Sequence, residues 1–150
     1  MNSASIFNEL HPIYKDKLHL STDTTALIIT QDQLIAFLST LRTRHDFNLL
    51  ALLTAVDYPD HYQMVYHLMS VKSADIVTVQ VDLSKTSPTV PSIVSLWSAA
   101  NVQEREVYDM FGIIFNGHPY LKRILNPDDF TEFPLRKSFV LQSINRQSIS

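Results

Sequence analysis

Cysteine is absent from all 150 residues, and that removes disulfides, thiolate nucleophiles and the thiolate ligands on which iron–sulfur clusters normally depend. Glycine is nearly as scarce. Gly112 and Gly117 are the only two, too few to build a phosphate-cradling loop or a dinucleotide fingerprint, each of which sets several glycines ahead of a helix. No apolar run approaches the roughly 20 residues that cross a bilayer. The N-terminus Met1-Asn2-Ser3-Ala4-Ser5 has neither the basic flank nor the apolar stretch of a secretory signal. The chain is therefore expected to be soluble by itself and cytosolic. An excess of positive charge is missing as well: 12 Lys and Arg against 15 Asp and Glu give a formal charge of −3. The cations are scattered rather than striped, which argues against nucleic acid or an anionic lipid surface as a partner.

What is present is length for one domain, able to bury roughly two thirds of its unfolded surface, and clear local patterning. Leu18-His19-Leu20 and Ala26-Leu27-Ile28-Ile29 read as two strands separated by a polar cluster. Thr30 and Gln33 have capping-box spacing, and Leu34, Phe37, Leu38 and Leu41 then recur at helical intervals before Arg42, Arg44 and His45. A helix is expected over residues 31–45. Residues 48–57, nearly all Leu, Ala, Val and Thr, suit a strand covered on both faces and closed by the turn Asp57-Tyr58-Pro59-Asp60. The return strand, 61–71, alternates Tyr62, Met64, Tyr66 and Leu68 on one face, and 75–83 is rich in β-branched residues, so the three form a meander.

Beyond a polar loop, Pro91 is placed to open a short helix carrying Ile93, Val94 and Trp97. Asn101 with Glu104 marks a second capped helix over 102–111, stopped by Gly112 in the left-handed conformation. A strand at 113–115 and the turn dipeptide Asn116-Gly117 follow. After Leu125 neither period persists. The expected architecture is α+β: a two-layer domain over 1–125, with a mixed sheet and helices mainly on one face, followed by an extended C-terminal arm over 126–150. Phe130, Phe133, Leu135 and Phe139 in that arm would be out of place in free solvent and favour wrapping on a partner.

The least probable stretch starts on the second helix. Glu104, Arg105, Glu106 and Asp109 stand among Val107, Tyr108, Met110 and Phe111, and His118, Lys122 and Arg123 follow shortly after. Charged side chains are rarely buried unless paired, so this segment pairs internally, performs chemistry or meets a partner. On a helix, Val107, Met110 and Phe111 share one side, with Gln103 and Glu104 at its edge. Arg105 and Asp109 are four apart and able to pair, a contact worth about 0.3–0.5 kcal/mol when exposed. The plain alternative is an amphipathic helix with solvated charges. Acid–base catalysis would use Glu104, Glu106 or Asp109 with His118, but nothing else in the sequence supplies a pocket. Metal binding lacks ligand spacing, since His61 and His67 do not meet on one strand and His11, His19 and His45 are isolated. His118, in Gly117-His118-Pro119, orients a turn or a partner contact, or is a satisfied structural histidine.

Taken together, Glu104-Arg105-Glu106, Asp109, Met110-Phe111, His118, Lys122 and Ile124-Leu125 resemble, at every position, the signature of the 30 kDa subunit family of proton-pumping NADH-quinone oxidoreductase, respiratory complex I. Val90-Pro91-Ser92, Leu96-Trp97, Ala99-Ala100, Arg123, Asn126-Pro127-Asp128-Asp129 and Pro134-Leu135-Arg136-Lys137 are similar to the family too. Val102 stands where many members have Trp, and Thr131-Glu132-Phe133 where Glu-Gly-His is common. The resemblance implies a non-catalytic peripheral-arm subunit on the cytoplasmic side of the membrane that supports electron transfer to quinone. It implies no cofactor in this chain, with FMN and iron–sulfur clusters held by partner subunits.

It further implies docking on the large quinone-site subunit of complex I through Glu104, Arg105, Glu106, Asp109, His118, Pro119, Lys122, Arg123 and Arg136, with the tail along the same neighbour. On that reading Arg105→Ala lowers assembly and leaves the isolated domain folded. Two alternatives stay open: the equivalent subunit of a membrane-bound hydrogenase or plastid-type dehydrogenase, and a proton relay of carboxylates and histidine near the quinone site.

Overall fold

Alternating and β-branched runs build the sheet where their pattern places it. β1 (Leu18–Leu20) pairs antiparallel with β2 (Ala26–Ile29). β3 (Leu49–Asp57), β4 (His61–Met69) and β5 (Ile76–Ser84) make the expected antiparallel meander. β2 joins β5 in parallel, which requires a long connection between them. The computed structural model describes residues 2–137 and gives the five strands the order β1-β2-β5-β4-β3. Two helices, α1 (Ser3–Tyr14) and α2 (Leu34–Arg44), bury Ile6, Leu10, Leu34, Phe37, Leu38 and Leu41 in one core with the alternate side chains of the sheet, among them Leu27, Tyr66, Val79 and Val81. The fold is α+β, a mixed sheet with its helices on one face.

Several local expectations give way to tertiary contacts. α1 has no counterpart among the predicted elements. Its N-cap is Asn2, whose side chain accepts from the Ser5 N–H at 2.9 Å, while Pro12 near its end is a residue that argues against helix. The expected helix at 31–45 starts later, because Gln31–Gln33 form a 3₁₀ turn and Thr30 makes no side-chain cap bond. β3 is not covered on both faces, since Leu49, Leu52 and Val56 remain exposed. Pro91 does not open a helix: it ends β6 (Thr89–Pro91), which pairs in parallel with β7 (Ile114–Asn116), and only turns follow at 93–97.

The signature helix, α3 (Ala100–Phe111), begins before the predicted start and has no side-chain cap. It ends as predicted. Gly112 takes φ +77° and its N–H bonds the Tyr108 carbonyl at 2.8 Å, the left-handed closure that glycine adopts without a Cβ penalty.

The arm expected over 126–150 turns back, in its described part, on its own domain. The Leu135 N–H bonds the Met110 carbonyl at 3.0 Å, and the Lys137 N–H bonds Asp57 Oδ2 at 2.8 Å. Phe139 and the remainder of the arm lie outside the described residues.

Candidate functional site

α3 carries the charges, and its two neighbours decide their fate. On one side, Glu104 is fully buried rather than at an edge. The Ser92 hydroxyl donates to its Oε1 at 2.6 Å and the Ile93 N–H to its Oε2 at 3.0 Å. This is why the Asn101–Glu104 capping pair does not form: the carboxylate is committed to the β6 exit. Among the described residues it has no ion pair. Burial pushes its carboxyl above the ordinary value, and Ser92, Ile93 and His118 offset only part of that rise. The Tyr66 hydroxyl and the Trp97 indole N–H, both buried, find no hydrogen-bond partner among the described residues.

On the other side, Asp109 is fully buried too, with a much richer set of donors. Arg123 Nη1 reaches Oδ1 at 2.7 Å and the Asn126 side-chain amide reaches it at 3.0 Å. The backbone N–H groups of Ile124, Leu125 and Asn126 converge on Oδ2 at 3.1, 2.6 and 2.9 Å. Three consecutive amides facing one oxygen form an anion nest. Burial alone would raise this carboxyl, but these donors together hold it far below its ordinary value. The expected Arg105–Asp109 pair is therefore replaced by Arg123–Asp109. Arg105 instead donates through Nε to the Lys122 carbonyl at 3.1 Å and through Nη2 to the Arg123 carbonyl at 3.2 Å, with its guanidinium 5.5 Å from the Tyr120 ring centre.

His118 is a satisfied turn residue. Its Nδ1 accepts from the Tyr120 N–H at 2.9 Å, and Nε2 donates to the Asn101 carbonyl at 3.0 Å. Pro119 and Lys122 are exposed, and Lys122 Nζ lies 4.9 Å from the Tyr120 ring centre. Arg136 caps the C-terminal end of α3, donating through Nε to the Phe111 carbonyl at 2.6 Å, where a cation meets the negative end of the helix dipole. Its guanidinium and that of Arg123 interleave with aromatic rings: Phe130, Arg123, Phe133, Arg136 and Tyr62 follow one another at 5.4, 4.9, 4.4 and 5.7 Å. A Cβ on Gly112 would lie 2.6 Å from Arg136 and 2.9 Å from Phe133, so the glycine also makes room for this stack.

The structure thus brings Asp109, Arg123 and Arg136 together, and joins Glu104 to Ser92. It ties Arg105 to the segment after β7 and His118, within that segment, back to Asn101 of α3, and leaves Glu106, Pro119 and Lys122 facing outward. An ordinary amphipathic helix with solvated charges is not what forms. Ser92, Asn126 and Gln103, whose Oε1 accepts the Leu53 N–H at 2.6 Å, are participants the spacing of charges did not single out. A Ser two residues before Val94, or an Asn at a helix-free position, has no periodic signal. Among the described residues no three His, Asp or Glu side chains converge on a metal-sized site, and no helix is long and apolar enough to cross a membrane.

Residues 27–145 match the family model for the respiratory-chain NADH dehydrogenase 30 Kd subunit. The C subunit of NADH-quinone oxidoreductase from Moorella thermoacetica is 48% identical over 142 residues, 93% of this chain and 96% of that one. Its namesake from Citrifermentans bemidjiense is 39% identical over 79% of this chain and 76% of its own. Among solved structures, a chain described as Nqo5 of a trypsin-resistant fragment (1-134) superposes with a TM-score of 0.67 at 26% identity, over 81% of this chain and 100% of that one. A chain of the membrane-bound sulfane sulfur reductase, an archaeal respiratory membrane complex, reaches a TM-score of 0.78 over 97% of this chain and 89% of its own at 22% identity, a likeness of fold. The signature, the fold and these matches agree: the chain belongs to the 30 kDa subunit family of respiratory-chain NADH dehydrogenases.

Proposed function

We propose that this chain is a cofactor-free, non-catalytic subunit of the peripheral arm of a proton-translocating NADH-quinone oxidoreductase. It docks on the large quinone-site subunit, on the cytoplasmic side of the membrane, and supports assembly of the path that carries electrons to quinone from FMN and iron–sulfur clusters in partner subunits. The observation that carries this reading is the disposition of the signature on α3. Asp109 is committed within the chain to Arg123 and to three backbone amides, so this buried ion pair serves geometry rather than turnover. The outward side, with Glu106, Tyr120, Leu125 and Leu135, is left for a neighbour.

A tagged full-length chain, recovered from its own cells in mild detergent, is expected to bring down the other NADH-quinone oxidoreductase subunits, with the large quinone-site subunit in equal amount. Recovery with hydrogenase or sulfur-reductase subunits, or alone, would overturn the assignment. The relay reading differs in outcome. Glu104→Gln in complexes of normal abundance is expected to retain turnover, and loss of turnover with intact assembly would favour a relay.

A further inference from the structure

Between β3 and α3 lies a groove of about 230 Å³, with Leu52, Glu106, Met110, Leu125 and Leu135 in its walls. β3 is an end strand of the sheet, and its register shifts between Leu50 and Leu52, the kind of bulge that re-aims side chains at sheet edges. Leu52, Leu125 and Leu135 are 44%, 62% and 57% exposed. Loose backbone does not explain it. The Leu125 N–H is held by Asp109 at 2.6 Å, the Leu135 N–H by the Met110 carbonyl at 3.0 Å, and Leu52 is paired with His67 in the sheet. Large aliphatic side chains presented to solvent by anchored backbone mark a contact that folding of the monomer does not use.

Among the described residues, Glu106 is the single charged residue in the walls of this groove and makes no hydrogen bond or ion pair. Its helical neighbours at i±3 and i±4 are Gln103, Asp109, Val102 and Met110, none of them a cation.

We infer that this groove takes a segment of a neighbouring subunit that inserts a large aliphatic or aromatic side chain between Leu52, Leu125 and Leu135 and sets a Lys or Arg against Glu106. The size fits, because an apolar cavity of about 150 Å³ already admits a benzene-sized group. The charge fits too: Glu106 at the rim selects a basic neighbour and repels an acidic one. Because Asp109 and the Met110 carbonyl fix the leucine-bearing wall beforehand, docking does not have to order it. The inference rests on the docking reading above and names the surface and the chemistry of its occupant.

A photo-crosslinking residue at position 52 of the full chain, irradiated within the assembled complex, is expected to label one peptide of a neighbouring subunit. That peptide should hold a large apolar residue with a Lys or Arg within about one helical turn. Leu52→Asp and Leu135→Asp should each lower retention in the complex about tenfold or more, the effect of one lost hot spot, while the thermal transition of the isolated full chain stays in place. Glu106→Lys should lower retention several-fold, and Glu106→Asp should restore most of it. An adduct to residues 138–150 of the same chain, to a second copy, to an acidic peptide, or to nothing would overturn the inference. Normal co-purification with the oxidoreductase together with any of those results sinks the groove and spares the proposed function. A chain that crosslinks an apolar, basic segment of some other complex does the reverse.

Discussion

Glu104 and Asp109 stand on one helix, both at 0% exposure, and the fold treats them in opposite ways. Asp109 receives a guanidinium, a side-chain amide and three backbone amides. Glu104 receives one hydroxyl and one backbone amide, with no ion pair among the described residues. Burial penalises both carboxylates. Only for Asp109 do the donors outweigh it, so one carboxyl is held far below its ordinary range and the other is raised above it. Depth alone therefore says nothing about the charge of a buried acid; the number and charge of the donors that reach it decide. Asp109 is the electrostatic keystone for the segment after β7, while Glu104 is an acceptor that fastens the β6 exit to α3.

The largest effect that tests this contrast is Asp109→Ala. It leaves three converging amides without an acceptor and the Arg123 guanidinium, its side chain 7% exposed, without its counter-charge, with only the backbone carbonyls of residues 109 and 132 still accepting from it. Breaking one side of a buried pair costs about 3–5 kcal/mol, a large part of the roughly 5–15 kcal/mol that a domain has in total. Urea unfolding of the isolated full chain should show it, with the loss confined to the midpoint if the change is one of stability alone. A loss near that of an exposed pair, under about 1 kcal/mol, would mean that Arg123 and the nest do not depend on this carboxylate.

A smaller and more diagnostic effect is the direction of pH dependence. Asp109 has a depressed folded pKa, so its contribution is fully present above the ordinary value of 3.8 and is lost as the pH falls below it. Glu104 has a raised one. In the window from its ordinary value of 4.5 up to its folded value, the folded state holds the extra proton, so stability falls as the pH rises through that window. Glu104→Gln keeps an acceptor and removes the charge. It is expected to lie within about 1 kcal/mol of the parent at neutral pH and to remove that falling limb from a series of urea midpoints taken upward from the ordinary value. A parent chain that gains stability with pH across the window would show that Glu104 has a cation partner after all.

These two residues also show how far the sequence reaches. Strand alternation, the hairpin turn at Asp57–Asp60 and the Gly112 stop are local signals, and β4, β5 and the end of α3 lie where they point. The position of the charges was legible, but their partners were not. Arg105 and Asp109 are four apart and suited to pair, yet Asp109 is taken by a guanidinium 14 positions downstream, and a helix-spacing rule cannot foresee a segment that folds back over the helix. Neither predicted capping pair forms. Glu104 is claimed by Ser92 across 12 positions, and Thr30 is separated from α2 by a 3₁₀ turn. α1 was hidden by Pro12, although Asn2 and the buried Ile6 and Leu10, four apart, trace it in retrospect. The arm expected to lie on a neighbour is, as far as Lys137, stacked on its own domain, because Phe130 and Phe133 alternate with the cations Arg123 and Arg136.

The smallest expected effect belongs to the third carboxylate of α3 and makes the sharpest control. Glu106 shares helix, charge and sequence neighbourhood with Glu104 and Asp109, but it is exposed and has no partner among the described residues. Glu106→Gln should therefore leave the urea midpoint of the isolated chain within about 0.5 kcal/mol of the parent at neutral pH, as surface changes away from special features do. A cost above about 1 kcal/mol would assign the residue to the fold rather than to its outward surface. In that case all three carboxylates would serve the same internal purpose, and the division of the helix into a structural side and a docking side would not stand.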